Sequence, residues 1–280
     1  MSGTTPEALR RTARRAEQLG YASLWAFQRV LNPVGAGLGP AHAAVLDPVV
    51  ALALAAADTE RIRLGTATLC APFTAPALLA KTLTTLDVVS HGRLTAGLGL
   101  GWLPEEYAAA GVPYERRGAR MDEYLRCLYA LWTQDPVEFA GEFYAVPRSH
   151  VGPPPVQRPH PPVLLGGAAA PALRRAGRLA QGWIASSRQD LTRIGEAIEI
   201  VRGAARDPQA LQIVVRGVVA LTDDDPGEPR RPLHGTREQV LADLAALRAQ
   251  GVTEVFLDPN FSDGERLLEA FAPTRLGPSA

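Results

Sequence analysis

The sequence predicts an α/β fold, a (β/α)8 TIM barrel in which parallel strands alternate with helices. Three observations carry that expectation. Helix-period and strand-period segments alternate along nearly the whole chain, the pattern of right-handed βαβ units. The strand segments are apolar on consecutive positions, as strands buried on both faces are. About seven such units within 280 residues fit a barrel better than an open doubly wound sheet, and the whole chain, 1–280, reads as a single domain.

The first helix, Pro6 to Leu19, carries Leu9, Ala13, Ala16 and Leu19 at helical spacing and stops at Gly20. Ser23 to Phe27 is a short strand. Asp47-Pro48 opens a helix to about Asp58, with Asp as N-cap and Pro at the first helical position. Ile62 to Leu69 is a strand closed by Pro72, Pro76 to Val89 a helix, and Leu94 to Leu98 a strand running into Gly99-Leu100-Gly101. Glu105 to Ala110 is a helical turn and Arg117 to Trp132 a long amphipathic helix. Val137 to Pro162 breaks the rhythm: Phe139, Gly141, Phe143 and Tyr144 predict a small hairpin, and the prolines beyond it an extended loop. The alternation then resumes: strand Val163-Leu165, helix Pro171–Ala180, strand Trp183–Ser186, helix Leu191–Ala205, strand Leu211–Leu221. Asp223 to Pro232 is polar and proline-rich, hence a mobile connection. Helix Thr236–Gln250, strand Val252–Leu257 and helix Asp263–Phe271 complete the series. The series starts on a helix, so the barrel is expected to lack its first strand. An open sheet edge needs cover, which Val30 to Val45 or a partner chain could provide.

The formal net charge is +0, with 46% hydrophobic and 21% charged residues, which excludes disorder and argues against nucleic acid or an acidic membrane as the partner. Lys81 is the only lysine among 29 basic residues. Cys70 and Cys127 are too few for a disulfide framework and read as two reduced thiols. The polar start has no signal-peptide character, and no apolar run approaches a membrane span, so a cytoplasmic protein is expected.

In a parallel barrel the active site lies at the carboxyl ends of the strands. That rule nominates Gln28 and Arg29; Thr66, Ala67, Thr68 and Cys70; Gly99, Leu100, Gly101 and Trp102; Gly166, Gly167 and Ala168; Trp183, Ala185 and Ser186; Arg216 to Leu221; and Asp258 with Asn260. Gly166-Gly167-Ala168-Ala169 joins a strand to a helix, so its small residues either leave backbone N–H groups open to a cofactor phosphate or form a tight turn needing positive φ. Gly97 to Gly101 lacks the spacing of a dinucleotide fingerprint. It gives either a bare strand end for a flat ring or close interior packing. The histidines (His42, His91, His150, His160, His234) show no metal-site spacing, so no metal is expected. Glu105-Glu106 reads as a solvated helix start with a general acid as the alternative. Arg116, Arg117 and Arg120 read as salt-bridged to Glu115, Asp122 and Glu123. Trp132, Phe139, Phe143 and Tyr144 read as packing.

Several segments together carry a resemblance. Thr59-Glu60-Arg61-Ile62-Arg63-Leu64-Gly65-Thr66, Ser90-His91-Gly92-Arg93-Leu94, Gly97 to Trp102, Gly141-Glu142-Phe143-Tyr144, and Pro162 to Gly167 with Gln181-Gly182-Trp183 resemble the bacterial luciferase-like monooxygenase superfamily. So do Gly20 to Trp25 and Gly235 to Asp258. The chain looks closest to the branch that uses the deazaflavin coenzyme F420. The resemblance implies a usually dimeric barrel that binds a reduced deazaflavin or flavin and acts on a small molecule. It places ring contacts on Thr66, Ala67 and Thr68, where members often have a non-prolyl cis peptide, and on Gly99, Leu100 and Gly101. Phosphate contacts would fall on Gly166, Gly167 and Ala168, with Trp183 beside the cofactor tail.

The departures are informative. Gln28 and Arg29 stand where many members carry an acidic residue and His. Trp102 replaces the catalytic Glu of the deazaflavin sugar-phosphate dehydrogenases. Leu100 replaces the phosphate-binding Arg of FMN-type luciferases, which tilts the expected cofactor toward F420, with FMN as the alternative. Arg29 is the expected stabiliser of negative charge, being protonated at any working pH, and Gln28 the expected ring-orienting group. The rivals to deazaflavin hydride transfer are an FMN-dependent monooxygenase using oxygen and a non-catalytic cofactor-binding protein.

Overall fold

The computed structural model describes residues 5–39, 42–259 and 262–273. They fall into two compact units, one built on Trp25–Val163 and the other on Arg10–Leu24 with Leu164 onward. The first described helix is α1 (Pro6–Gln18), followed by strand β1 (Ser23–Ala26).

The first unit continues with α2 (Pro48–Ala57), β2 (Arg63–Thr66), β3 (Leu69–Cys70), α3 (Pro76–Val89), β4 (Leu94–Gly99), α4 (Pro104–Ala109), α5 (Arg117–Thr133) and the strands β5 (Val137–Ala140) and β6 (Ala145–Ser149). Strands β1, β2 and β4 are consecutive neighbours, and β3 also pairs with β4. Pairing is parallel, with Leu64 beside Leu94 and Leu69 beside Leu98. All six residues of β4 are buried, as a central parallel strand requires. Asp47 caps α2 by accepting from Val49 N and Val50 N, as its Asp-Pro start predicts.

One predicted strand is divided. Ile62 to Leu69 becomes β2 and β3, because the Thr66 hydroxyl takes over the ladder: it donates to Gly97 O (2.8 Å) and accepts from Gly97 N (2.9 Å). The predicted hairpin forms as the antiparallel pair β5–β6. The arginine cluster is arranged differently from expectation. Arg116 pairs with Glu142, and Arg116 and Arg120 lie over the Phe143 ring at 4.9 Å and 5.3 Å. Glu123 accepts from the backbone N–H groups of Glu142, Phe143 and Tyr144, a use that only the folded hairpin creates. Among the described residues of 30–45, no strand forms to cover an edge.

The second unit contains β7 (Val163–Gly166), α6 (Ala170–Leu179), β8 (Gly182–Ala185), α7 (Ile194–Gly203), β9 (Gln212–Val218), β10 (Ala220–Leu221), β11 (His234–Gly235), α8 (Arg237–Ala249), β12 (Glu254–Asp258) and α9 (Gly264–Ala270). Here β7, β8, β9 and β12 are successive parallel neighbours. Ile213, Val214 and Val215 are fully buried on consecutive positions of β9. The predicted strand Leu211–Leu221 splits into β9 and β10, the latter pairing with β11. The connection predicted to be mobile is tied at its end, where Arg230 donates to both oxygens of Asp243 (2.6 and 2.9 Å). Thr236 and Gln239 form a capping box at the start of α8.

Candidate active site

The chain leaving β1 is anchored by its side chains. Gln28 Oε1 accepts from Cys70 N at 2.8 Å, which fixes the segment after β1 to the end of β3. The next residue, Arg29, turns inward and meets Glu106 in the first turn of α4. Arg29 Nη1 lies 2.9 Å from Glu106 Oε2, with the two side chains 9% and 7% exposed. The other carboxylate oxygen, Oε1, accepts from Val30 N (2.7 Å) and Leu31 N (3.3 Å). Arg29 Nε is buried and has no hydrogen-bond partner. The guanidinium carbon stands 5.5 Å from the ring centroid of Trp102, a residue that remains 45% exposed.

The reading of Glu105-Glu106 as a solvated pair is thereby corrected. Glu105 is exposed, but Glu106 is buried and ion-paired. Local sequence favours carboxylates at any helix start; only the fold decides which of two adjacent ones faces inward. No spacing signal linked positions 29 and 106.

The ends of β2, β3 and β4 converge beside this pair. The Ala67–Thr68 peptide is cis, as the resemblance implies. Ala67 N donates to Ala26 O at 2.8 Å. Leu100 O accepts from Cys70 Sγ at 2.9 Å and from the Tyr107 hydroxyl. Burial, with the Glu106 charge adding to it, pushes the Cys70 thiol well above its ordinary value; burial does the same to the Tyr107 phenol. Both groups therefore stay protonated and donating. A Cβ on Gly99 would lie 2.6 Å from Thr68 Oγ1, and one on Gly101, whose φ is +72°, 2.7 Å from Cys70 Sγ. Glycine at these two positions thus admits a close approach of the chain to itself.

In the second unit, Gly166-Gly167-Ala168 joins β7 to α6. Gly167 has φ +136°, and a Cβ there would lie 2.7 Å from that of Ala172. The N-terminus of α6 has no side-chain cap, and Ala168 and Ala169 are exposed. Trp183 is 0% exposed, and its Nε1 donates to Gly167 O at 2.7 Å, so it braces the turn from within the core. At the ends of β9 and β12, Arg216 Nε donates to Asp258 Oδ2 at 2.7 Å, a half-buried pair whose members the strand-end rule had nominated separately. Asn260 lies outside the described residues. Among the described residues no cluster of His, Cys, Asp and Glu could hold a metal ion, and no helix is long and apolar enough to cross a membrane.

Residues 1–228 match the family model described as luciferase-like monooxygenase. The chain belongs to the luciferase-like monooxygenase family. An uncharacterized protein of Mycobacterium tuberculosis is 37% identical over 234 residues, spanning 77% of this chain and 81% of that protein. An FMNH2-dependent dimethylsulfone monooxygenase of Pseudomonas putida is 32% identical over 220 residues, which cover 77% of this chain and 58% of that enzyme. Among solved structures, a monooxygenase of Streptomyces bottropensis superposes with a TM-score of 0.82 at 25% identity, covering 97% of this chain and 92% of that one. The coenzyme F420-dependent tetrahydromethanopterin reductase of Methanopyrus kandleri gives 0.80 at 18% identity, covering 96% and 94%. The expected luciferase-like barrel fold is therefore the fold of this chain, and the chain is an enzyme of the luciferase-like monooxygenase family.

Proposed function

We propose that this luciferase-like protein transfers a hydride between coenzyme F420 and a small organic substrate. The observation that carries the reading is Arg29: a permanently charged guanidinium, nine-tenths buried, held on one edge by Glu106 and carrying an unpartnered Nε–H. A buried donor without an acceptor costs about 1–3 kcal/mol, so a bound group bringing a negatively charged oxygen suits this position. The residues present fit a ring whose charge changes with reduction. When bound, the deazaflavin supplies the two-electron chemistry, and the protein supplies orientation and exclusion of water.

In the ring-binding role are Thr66, Ala67 and Thr68 with Gly99, Leu100 and Gly101. Gln28 acts by fixing the strand end through Cys70 N and so places Arg29. For the phosphorylated tail, the reading is Gly166, Gly167 and Ala168, supported by the uncapped start of α6. Trp183 acts through the turn it braces. Leu100, an apolar side chain between two glycines, supports F420 over FMN. Pairing into a homodimer is supported by α2, whose ten residues include no polar side chain although Val50 is 70% exposed.

The second reading is an FMN-dependent monooxygenase, favoured by the 32% identity to the Pseudomonas enzyme. Fluorescence titration with F420 and FMN, each oxidised and reduced, decides between them. The expected result is saturable binding of F420 and, with reduced FMN, no substrate oxygenation and no oxygen uptake beyond that of the free reduced flavin. Substrate-dependent oxygen uptake above that background, with oxygen incorporated into product, would transfer the assignment to the monooxygenase. Binding without turnover on alcohols, aldehydes or enones would leave a carrier, and no binding at all would sink both readings.

A further inference from the structure

We propose that Glu106 is a positioning residue: it grips Arg29 by one edge and leaves the buried Nε–H as the unpartnered donor for an oxygen of the bound ring or substrate. This deepens the Arg29 reading and its ligand half rests on it. The argument starts from the inventory of Glu106. Its two oxygens have three partners, Arg29 Nη1 on Oε2, and Val30 N and Leu31 N on Oε1. Both faces of the carboxylate are thus engaged by donors of the same short segment. A carboxylate so engaged is poorly placed to exchange protons with a ligand and well placed to hold a rotamer.

The bonds to Val30 and Leu31 set the backbone on the C-terminal side of Arg29; the Gln28 bond to Cys70 N sets the N-terminal side. Between these anchors the guanidinium has Glu106 on Nη1 and lies over the Trp102 ring, and both contacts resist rotation. The one buried donor left over is Nε. Removing either partner of a buried ion pair leaves the other charge uncompensated, so Glu106 substitution must be read against Arg29 substitution.

The test is a double-mutant cycle on the full chain, with binding of F420 and FMN, each oxidised and anaerobically reduced, read by quenching of the protein's tryptophan fluorescence. Glu106→Gln keeps the size and one acceptor for the backbone N–H groups. Glu106→Asp keeps the charge but retracts it, and serves if the Gln variant melts early. Arg29→Gln is expected to weaken binding of the bound coenzyme about tenfold or more. Glu106→Gln is expected to give most of that loss, and the double variant to bind no more weakly than Arg29→Gln alone. Additive losses would show that Glu106 acts independently of Arg29 and would overturn the proposal.

A second measurement needs no coenzyme. In ligand-free protein the Arg29 side-chain N–H resonances, assigned by their absence in Arg29→Gln, should be resolved through hindered guanidinium rotation and should collapse in Glu106→Gln. Unchanged resonances would also overturn the positioning role. If the parent binds neither coenzyme, the cofactor reading and the ligand half fall together, while the resonances still decide whether Glu106 holds Arg29.

Discussion

Arg93 and Arg29 are both buried in the first unit, yet their surroundings differ. Arg93 has an acceptor for each of its five N–H groups: Ser90 O at 2.7 Å, Thr59 Oγ1, Ile62 O and Thr59 O at 2.9 Å, and Ala56 O at 3.0 Å. Three of these are carbonyls at the end of α2 and in the turn after it, so Arg93 stitches that turn to the start of β4. Lysine is a point donor and cannot cover a fan of five acceptors. Arg93→Lys should therefore lower stability by about 2–4 kcal/mol, seen as a lower urea midpoint at unchanged m-value. Arg29, by contrast, keeps one donor idle, the feature on which the proposed ligand contact rests. The motif Ser90-His91-Gly92-Arg93 was visible in the sequence; the Ala56, Thr59 and Ile62 carbonyls that Arg93 reaches belong to a segment 31 to 37 positions earlier and were not.

Among the elements, the β5–β6 hairpin depends on a residue outside it. Burial alone would raise the Glu123 carboxyl, but the backbone N–H groups of Phe143, Tyr144 and Glu142, with the Arg126 charge, outweigh that and hold it below its ordinary value. A carboxyl depressed in the native state stabilises the fold above its unfolded pKa, and that contribution disappears as pH falls through the native value. Glu123→Gln should cost about 1–2 kcal/mol near neutral pH. The gap between parent and variant should narrow as pH falls below the ordinary carboxylate range and close once it passes the depressed native value, as both then carry a neutral group. A thermal-melt series across pH would show it, and a gap that persists in acid would refute the carboxylate's role. The hairpin itself was legible from Phe139, Gly141 and Phe143; its cap was not, because Glu123 sits on a different element, α5.

For the whole molecule, α2 predicts behaviour that no single unit explains. A helix without polar side chains is ordinarily covered on every side, yet Val50 is 70% exposed and Leu78 on the adjoining α3 is 64% exposed. On the homodimer reading, Val50→Arg should shift sedimentation from dimer to monomer at micromolar concentration while far-UV circular dichroism stays unchanged. A parent that already sediments as a monomer would remove the homodimer from the proposed function.

The sequence by itself determined the α/β class, the order of nearly every helix and strand, and the family, because period, caps and turn glycines are local properties. It also brought Gln28, Arg29, Thr66, Gly99 and Gly167 forward, since strand ends can be counted along a chain. Only the tertiary structure decided what those residues do. It buried Glu106 while leaving Glu105 in solvent, filled the space at Gly99 with the Thr68 hydroxyl, and put Trp183 behind a turn. The reason is physical: partnership and burial depend on residues on other elements, 16 positions away for Trp183 and Gly167 and 76 for Val30 and Glu106, and no spacing in one sequence encodes which of them arrive at the same place.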